Sequence, residues 1–534
     1  MDTQKIILFV VLSFSILMLW ESWDKNQHPQ PALIANAPSV ATEAKRQQVI
    51  EKDDTVASHG QKIQVTTDTF VAEIDTAGGD IRRLELRKQK EAHDKTKNYL
   101  LLQDDSSNFY VTQSGLLGNG LPNHKAIYMA EKSSYVMDPN SQELVVNLEW
   151  NDGEGIKVTK TLTFHKNSYL VDVSYNISND SNIELLPSAY FQLVRTDTAP
   201  KDDSKFVHTY TGPAFYSEQS KFHKVSFADI EKNKIELPAE ANNGWVAMLQ
   251  HYFLSAWLPK GTAQREFYAK KLGQKLVSAG ILLKDPVGII TAGSTGKISA
   301  QLYVGPQEQA ALSKIAPGLD LTVDYGWLTV IAAPLYWALD HIHRWVNNWG
   351  VAIIILTILI KLAFFPLSAK SYRSMANMRK VTPKLQKIKE QYGDDRQRMN
   401  QAMMELYKTE KINPLGGCLP VVVQIPVFIA LYWVLLYSVE MRQAPFIGWI
   451  TDLSAADPYY ILPAIMGLTM IIQTKLNPTP PDPIQAKVMM IMPFAMAIFF
   501  VFFPAGLVLY WIVNNILSIS QQWVITRKME AVTK

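Results

Sequence analysis

The chain has a single cysteine, Cys418, in 534 residues. A lone thiol excludes an internal disulfide framework, so the compartment must be read from topology instead. Zinc-ligand spacings, a P-loop and a dinucleotide fingerprint are also absent, so no cofactor is expected. No lipobox cysteine follows the amino-terminal apolar run. The net charge is only +3, which argues neither for nor against a nucleic-acid partner. What is plentiful is apolar residue, 48% hydrophobic against 19% charged, and it is unevenly placed. Residues 24–325 read as a soluble protein and residues 346–524 as a membrane protein.

Lys5 precedes an apolar run from Ile6 to Trp20. A cleaved signal peptide and an uncleaved anchor both begin this way. Ala35-Asn36-Ala37 has the small-x-small form of a cleavage site, but it lies some fifteen residues beyond the run. Trp20, Glu21 and Trp23 are poor cleavage neighbours. Residues 1–23 are therefore read as an uncleaved signal-anchor helix with a cytoplasmic amino terminus. Residues 24–60, rich in Pro, Ala and Gln without periodicity, are read as a flexible linker.

From Lys62 the pattern changes to strands. IQVTTDTFVAEID alternates, Gly78-Gly79 turns the chain, and IRRLEL follows. KVTKTLTF, a turn at HKNS and YLVDVSYNIS predict a second hairpin. Similar runs recur at WVAMLQHYFLSAWLP and KISAQLYVGP. Short β-rich runs between turn residues predict a large sandwich over residues 61–325. Its His165, His208 and His251 are candidate catalytic residues, but none sits in a recognisable catalytic arrangement, and a surface or core role fits each better.

Residues 326–345 carry Leu328, Ile331, Leu335, Leu339 and Ile342 at three- and four-residue steps, with many aromatics. That predicts a helix in the membrane interface, or else a capping helix of the sandwich, bent or broken at Pro334. Residues 346–526 predict five membrane-spanning helices, with a cytoplasmic helical hairpin at 368–413. The hairpin carries Arg379, Lys380, Lys384, Lys387, Arg396 and Arg398, and a loop so basic belongs in the cytoplasm. Met378, Val381, Leu385, Ile388 and Tyr392, then Met399, Met403 and Leu406, give it an apolar seam. Its basic outer face suits anionic lipid or ribosomal RNA, or is simply a solvated face. The loop 440–459 has Arg442 as its only basic residue and fits the outside. Residues 527–534 form a basic cytoplasmic tail. With the anchor, the chain is a polytopic α-helical membrane protein of six spans, both termini inside and the sandwich outside.

Lys361 lies inside the first core span, where a cation costs roughly 2.5–3.5 kcal/mol on insertion scales. Snorkelling of the ammonium to the headgroups is one explanation. The other is a polar cavity. Thr357 shares a helix face with Lys361, and Gln424 is mid-span in the next helix. Thr469 and Gln473 share a face of the third core span. Trp511, Asn514 or Asn515, Ser518 and Gln522 line one face of the last. No chain of carboxylates accompanies these residues and no inverted halves are visible, which weakens a pump or transporter.

NPLGGCLPVVVQIPVF from Asn413, DLSAADPYYILP from Asp452 and FPAGLVLYWIVNN from Phe503 closely resemble the YidC membrane protein insertases of the Oxa/Alb superfamily. The resemblance is specific over residues 325–530 and looser over the rest, where it resembles the Gram-negative form. It implies a periplasmic β-supersandwich and a five-helix core. It also implies a hydrophilic groove open to cytoplasm and lipid, and a non-enzymatic insertase and chaperone of inner-membrane proteins. Nascent membrane proteins, the Sec translocon (SecYEG, SecDF), the ribosome and anionic lipids are the partners it implies. The groove of the family carries an arginine where this chain has Lys361, which keeps the charge and loses the planar fork. Thr357 and Trp511 match positions that contact the incoming helix, although a tyrosine is common where Trp511 stands. Two rival classes are a small-solute transporter, which predicts uptake by the pure protein, and a membrane-anchored carbohydrate-binding protein, which predicts sugar binding.

Overall fold

The computed structural model describes residues 60–92, 94–105, 108–198, 200, 209–273, 275–393, 395–410, 419–477 and 483–533. The expected signal anchor, most of the linker, His208, Cys418 and the NPLGGC segment lie outside the described residues. Two compact units result. One holds the described residues up to Ala333 together with Trp433–Arg442, and the other Pro334–Tyr432 together with the chain from Gln443.

The first unit is built from two nine-stranded sheets. One runs, edge to edge, through Gln264–Leu272, Leu276–Lys284, Ser188–Thr196, Asn108–Leu117, Asn98–Asp105, Asp80–Lys90, Phe70–Asp75, Lys62–Thr66 and Ser134–Val136. The other runs through Lys221–Lys224, Gly212–Ser217, Trp245–Gln250, Phe253–Pro259, Ser294–Pro306, Leu170–Asn179, Ile156–His165, Glu143–Asn151 and Met129–Ala130. Both hairpins expected from alternation are present, with Phe70–Asp75 against Asp80–Lys90 and Ile156–His165 against Leu170–Asn179. Period-2 burial drives them: Ile156, Val158, Leu162 and Phe164 point inward and are sealed from solvent. The Gly78-Gly79 turn requires glycine. Both have positive φ, +79° and +63°, and a Cβ on Gly78 would lie 2.5 Å from the His124 carbonyl. Among the described residues the unit also has two short α-helices, α1 (Phe227–Glu231) and α2 (Gln309–Ile315).

Helix α3 spans Thr329–Val346 without a break. The expected break at Pro334 is therefore corrected: the helix runs on through the proline, which lacks only the one N–H that would reach the Val330 carbonyl. The helices that follow are α4 (Trp349–Ala363), α5 (Phe365–Tyr392), α6 (Arg396–Thr409), α7 (Leu419–Tyr437), α8 (Ile461–Leu476), α9 (Pro483–Phe500) and α10 (Ala505–Thr533). The continuous span expected from Val346 to Pro366 is also corrected. It ends at Ala363, and a 67° bend leads into α5. Pro366 lies in the first turn of α5, where its missing N–H has no helical partner to lose. Asn348 starts α4, its Oδ1 accepting from Val351 N at 3.0 Å. No single helix among the described residues is both long and apolar enough to cross a membrane alone, though α4 with the first half of α5 is so as a bent pair.

The expected hairpin forms from α5 and α6, with Val381 and Leu385 buried in its seam. Lys380, Lys384, Lys387 and Arg398 are exposed on it. Lys384 pairs with Glu410 at 2.5 Å and Arg398 with Asp395 at 3.3 Å. The side chains of Arg379 and Arg396 lie outside the described residues.

Candidate functional site

The second unit contains a cavity of about 440 Å³ where α4, α5, α7, α8, α9 and α10 converge. Lys361 reaches it from the last turn of α4. Its side chain is turned into the bundle, 5% exposed, which is not the outward posture of snorkelling. The Nζ lies 2.8 Å from Ser518 Oγ and 3.4 Å from Gln424 Oε1. The Gln424 Nε2 donates to Asn514 Oδ1 at 2.7 Å, and Ser518 Oγ donates to the Asn514 backbone carbonyl at 2.7 Å. No ion pair to Lys361 forms among the described residues.

Lys361, Gln424, Asn514, Ser518 and Trp511 are thus brought to one cavity. Thr357 is not. It is buried one turn away, and its hydroxyl donates at 2.6 Å to the Ile353 carbonyl of its own helix. A β-hydroxyl in a helix often finds this partner four residues back, and here that leaves no donor for a visitor. Trp511 packs edge-on against Phe428, ring centres 4.7 Å apart, and its buried Nε1 has no hydrogen bond among the described residues.

The last helix carries two polar stripes rather than one. Asn514 and Ser518 face α4 and α7. Asn515 Nδ2 instead donates to Thr469 Oγ1 on α8 at 3.1 Å, and Gln522 Nε2 donates to the Leu476 carbonyl at 3.0 Å. Gln473 of α8 lines the cavity; Gln522 does not. Sequence reasoning passed over Ser368 and Ser371, buried at the start of α5 and lining the same cavity. Spacing from Lys361 to both would have placed them, had the bend at Phe364 been foreseen. It also passed over a methionine wall, Met375, Met470, Met489 and Met492, whose last two members stand in the readable run MMIM. Methionine is flexible and polarizable, so such a wall accepts side chains of varied shape.

The described candidates of the sandwich, His165 and His251, do not come together in one site. His165 Nε2 lies 2.8 Å from Asp172 Oδ2 and His165 Nδ1 3.3 Å from Glu143 Oε1, in a partly exposed ion cluster with Lys260. His251 Nε2 lies 3.0 Å from the Leu436 carbonyl and stacks on Tyr252. Among the described residues no group of three His, Cys, Asp or Glu side chains is arranged to hold a metal ion.

Two family descriptions match this chain. The YidC periplasmic domain covers residues 62–338, and the 60Kd inner membrane protein covers residues 341–532. The membrane protein insertase YidC of Methylobacillus flagellatus is 54% identical over 545 residues, covering 99% of this chain and 98% of its own. That of Aromatoleum aromaticum is 54% identical over 544 residues, with the same coverage of 99% and 98%. An active YidC insertase solved with its first transmembrane domain resolved is 17% identical, with a TM-score of 0.41 over 90% of this chain and 98% of that one. Neither the transporter nor the carbohydrate-binding alternative is favoured by these relatives. The strand-rich and helical parts each match a family model, and relatives 54% identical align end to end, so the chain belongs to the YidC membrane protein insertases.

Proposed function

We propose that this insertase works through the Lys361 cavity, used as a polar groove that shortens the path of a client's translocated tail across hydrocarbon. The observation that carries the reading is a buried cation without a carboxylate partner among the described residues, facing a cavity edged by amides and hydroxyls. A charge so placed attracts an acidic or strongly polar tail. The apolar segment behind it then moves sideways into lipid, where burial at ~25 cal/mol per Å² drives the step. No covalent chemistry is involved.

The topology that suits this has six spans, both termini in the cytoplasm and the sandwich in the periplasm. Its divisions are an anchor at 1–23, a linker at 24–60, a sandwich at 61–325, an interfacial helix at 326–345, a core at 346–526 and a tail at 527–534. The exposed Trp327, Trp337 and Trp345 on and beside α3 support an interfacial position for that helix. The exposed Lys380, Lys384, Lys387 and Arg398 support contact of the hairpin with anionic lipid or a ribosome. Cooperation with the Sec translocon, SecYEG and SecDF, rests on the family alone.

The test is reconstitution of pure protein into liposomes, with insertion of a small two-span client followed by protease protection. Wild type and Lys361→Arg should both insert it. With Lys361→Ala insertion should fall about tenfold, well within the ~4 kcal/mol of a charge pair 4 Å apart at an effective dielectric of 20. Equal insertion by all three would remove the cation from the mechanism.

A further inference from the structure

Asn514 does not touch Lys361, yet it contacts both groups that do. Ser518 has one O–H, and it is given to the Asn514 backbone carbonyl at 2.7 Å. The oxygen's lone pairs are thereby left to accept, from Lys361 Nζ at 2.8 Å and from the Tyr372 hydroxyl, which also bonds to Ser518. Gln424 could face the lysine with either end of its amide. The amide bonds to two groups of α10, Asn514 and the Tyr510 hydroxyl; because its Nε2 donates to Asn514 Oδ1 at 2.7 Å, its carbonyl oxygen is the end that faces Nζ, at 3.4 Å. Turned over, an NH₂ group would oppose an ammonium and Asn514 Oδ1 would oppose a carbonyl.

We propose that Asn514 is the positioning residue of the groove, fixing the Gln424 amide so that an acceptor rather than a donor faces the Lys361 ammonium. This rests on the reading of Lys361 as the groove cation. The ammonium has three N–H donors and two acceptors among the described residues, so one donor remains for a client. A cradle of two separate oxygens suits a compact point charge better than a planar five-donor fork. Asn514 therefore acts on selectivity for acidic tails and does so through Gln424. The alternative role, interhelical glue between α7 and α10, would lower all insertion alike.

The experiment uses the full chain in liposomes and two clients that differ only in Asp or Asn at the same tail positions. The ratio of acidic-tail to neutral-tail insertion is read for wild type, Asn514→Ala, Gln424→Ala, the double variant and Lys361→Ala. Substituting alanine at 514 keeps the backbone carbonyl that holds Ser518, so only the Gln424 route is lost. The ratio should drop about threefold with Asn514→Ala, the weight of one interhelical hydrogen bond in a membrane protein. The double variant should fall no further than Gln424→Ala alone. Asn514→Ser, too short to reach Gln424, should match Asn514→Ala and serves if alanine fails to reconstitute. Additive losses, or an unchanged ratio with Asn514→Ala while Lys361→Ala lowers it, would overturn the positioning role. An unchanged ratio with Lys361→Ala would instead overturn the groove-cation reading on which it rests.

Discussion

Lys160 and Lys361 are both nearly sealed from solvent, at 1% and 5% exposure, yet their surroundings differ in kind. Lys160 lies on the inward face of its strand. Its ammonium is 2.8 Å from Asp80 Oδ1 and 2.8 Å from the Gly78 carbonyl, with the Tyr175 ring 5.4 Å away. That charge is matched inside the fold; among the described residues Lys361 bonds to a hydroxyl and an amide. The two lysines should therefore respond differently to loss. Lys160→Met leaves the Asp80 carboxylate buried alone and should lower stability by ~3–5 kcal/mol. Adding Asp80→Asn should recover most of it. Thermal unfolding in detergent, followed at the β-sheet circular dichroism, checks both. Alternation in KVTKTLTF puts Lys160 beside Val158 and Leu162, so its face was legible. Its partner was not, because Asp80 lies eighty residues earlier on the other sheet.

Among the elements, α8 shows how much depends on groups outside the helix. Its start is held by Asp457, 1% exposed, whose Oδ2 accepts from Leu462 N at 2.7 Å and whose Oδ1 accepts from Tyr459 N and Trp449 Nε1, both at 3.0 Å. Three donors on one carboxylate at a helix N-terminus also place the charge where the backbone dipoles favour it. Asp457→Ala should destabilise this end by about 1–3 kcal/mol, seen as faster amide exchange at Tyr459 and Leu462. Further along, Gly467 lets α8 approach α9: a Cβ there would lie 2.9 Å from Ala497 Cβ. Gly467→Leu should cost about 1–3 kcal/mol of overpacking strain, measured by thermal unfolding in detergent. Local sequence explains why Pro366 falls in the first turn of α5. It does not give the 67° bend, which depends on how α4 and α5 pack against α10.

For the whole molecule, charge between the helices makes a definite demand. If the hairpin is cytoplasmic and the loop after α7 periplasmic, an impermeant thiol reagent must reach them from opposite sides. With Cys418→Ser as background, Ile447→Cys should label in intact spheroplasts and Asn400→Cys only after permeabilisation. Both positions are exposed in the fold, so burial would not mask either outcome. Labelling of both from outside, or the reverse order, would overturn six spans with both termini inside.

The sequence alone determined the division into a strand-rich part and an apolar helical part, the hairpin with its buried Val381 and Leu385, and the polar residues of the last helix, read as one stripe where the structure has two. Each of these follows from a local period, 2 for strands and 3.6 for helices, or from the sorting of Lys and Arg among loops. Tertiary structure decided what those stripes meet. It turned Asn514 toward Gln424 and its neighbour Asn515 toward Thr469, closed the Thr357 hydroxyl on its own helix, and set Lys160 on Asp80 but Lys361 on Ser518. Helical period fixes which residues share a face. Which partner that face meets depends on helix rotation and on contacts far apart in the chain, and neither is written in a local pattern.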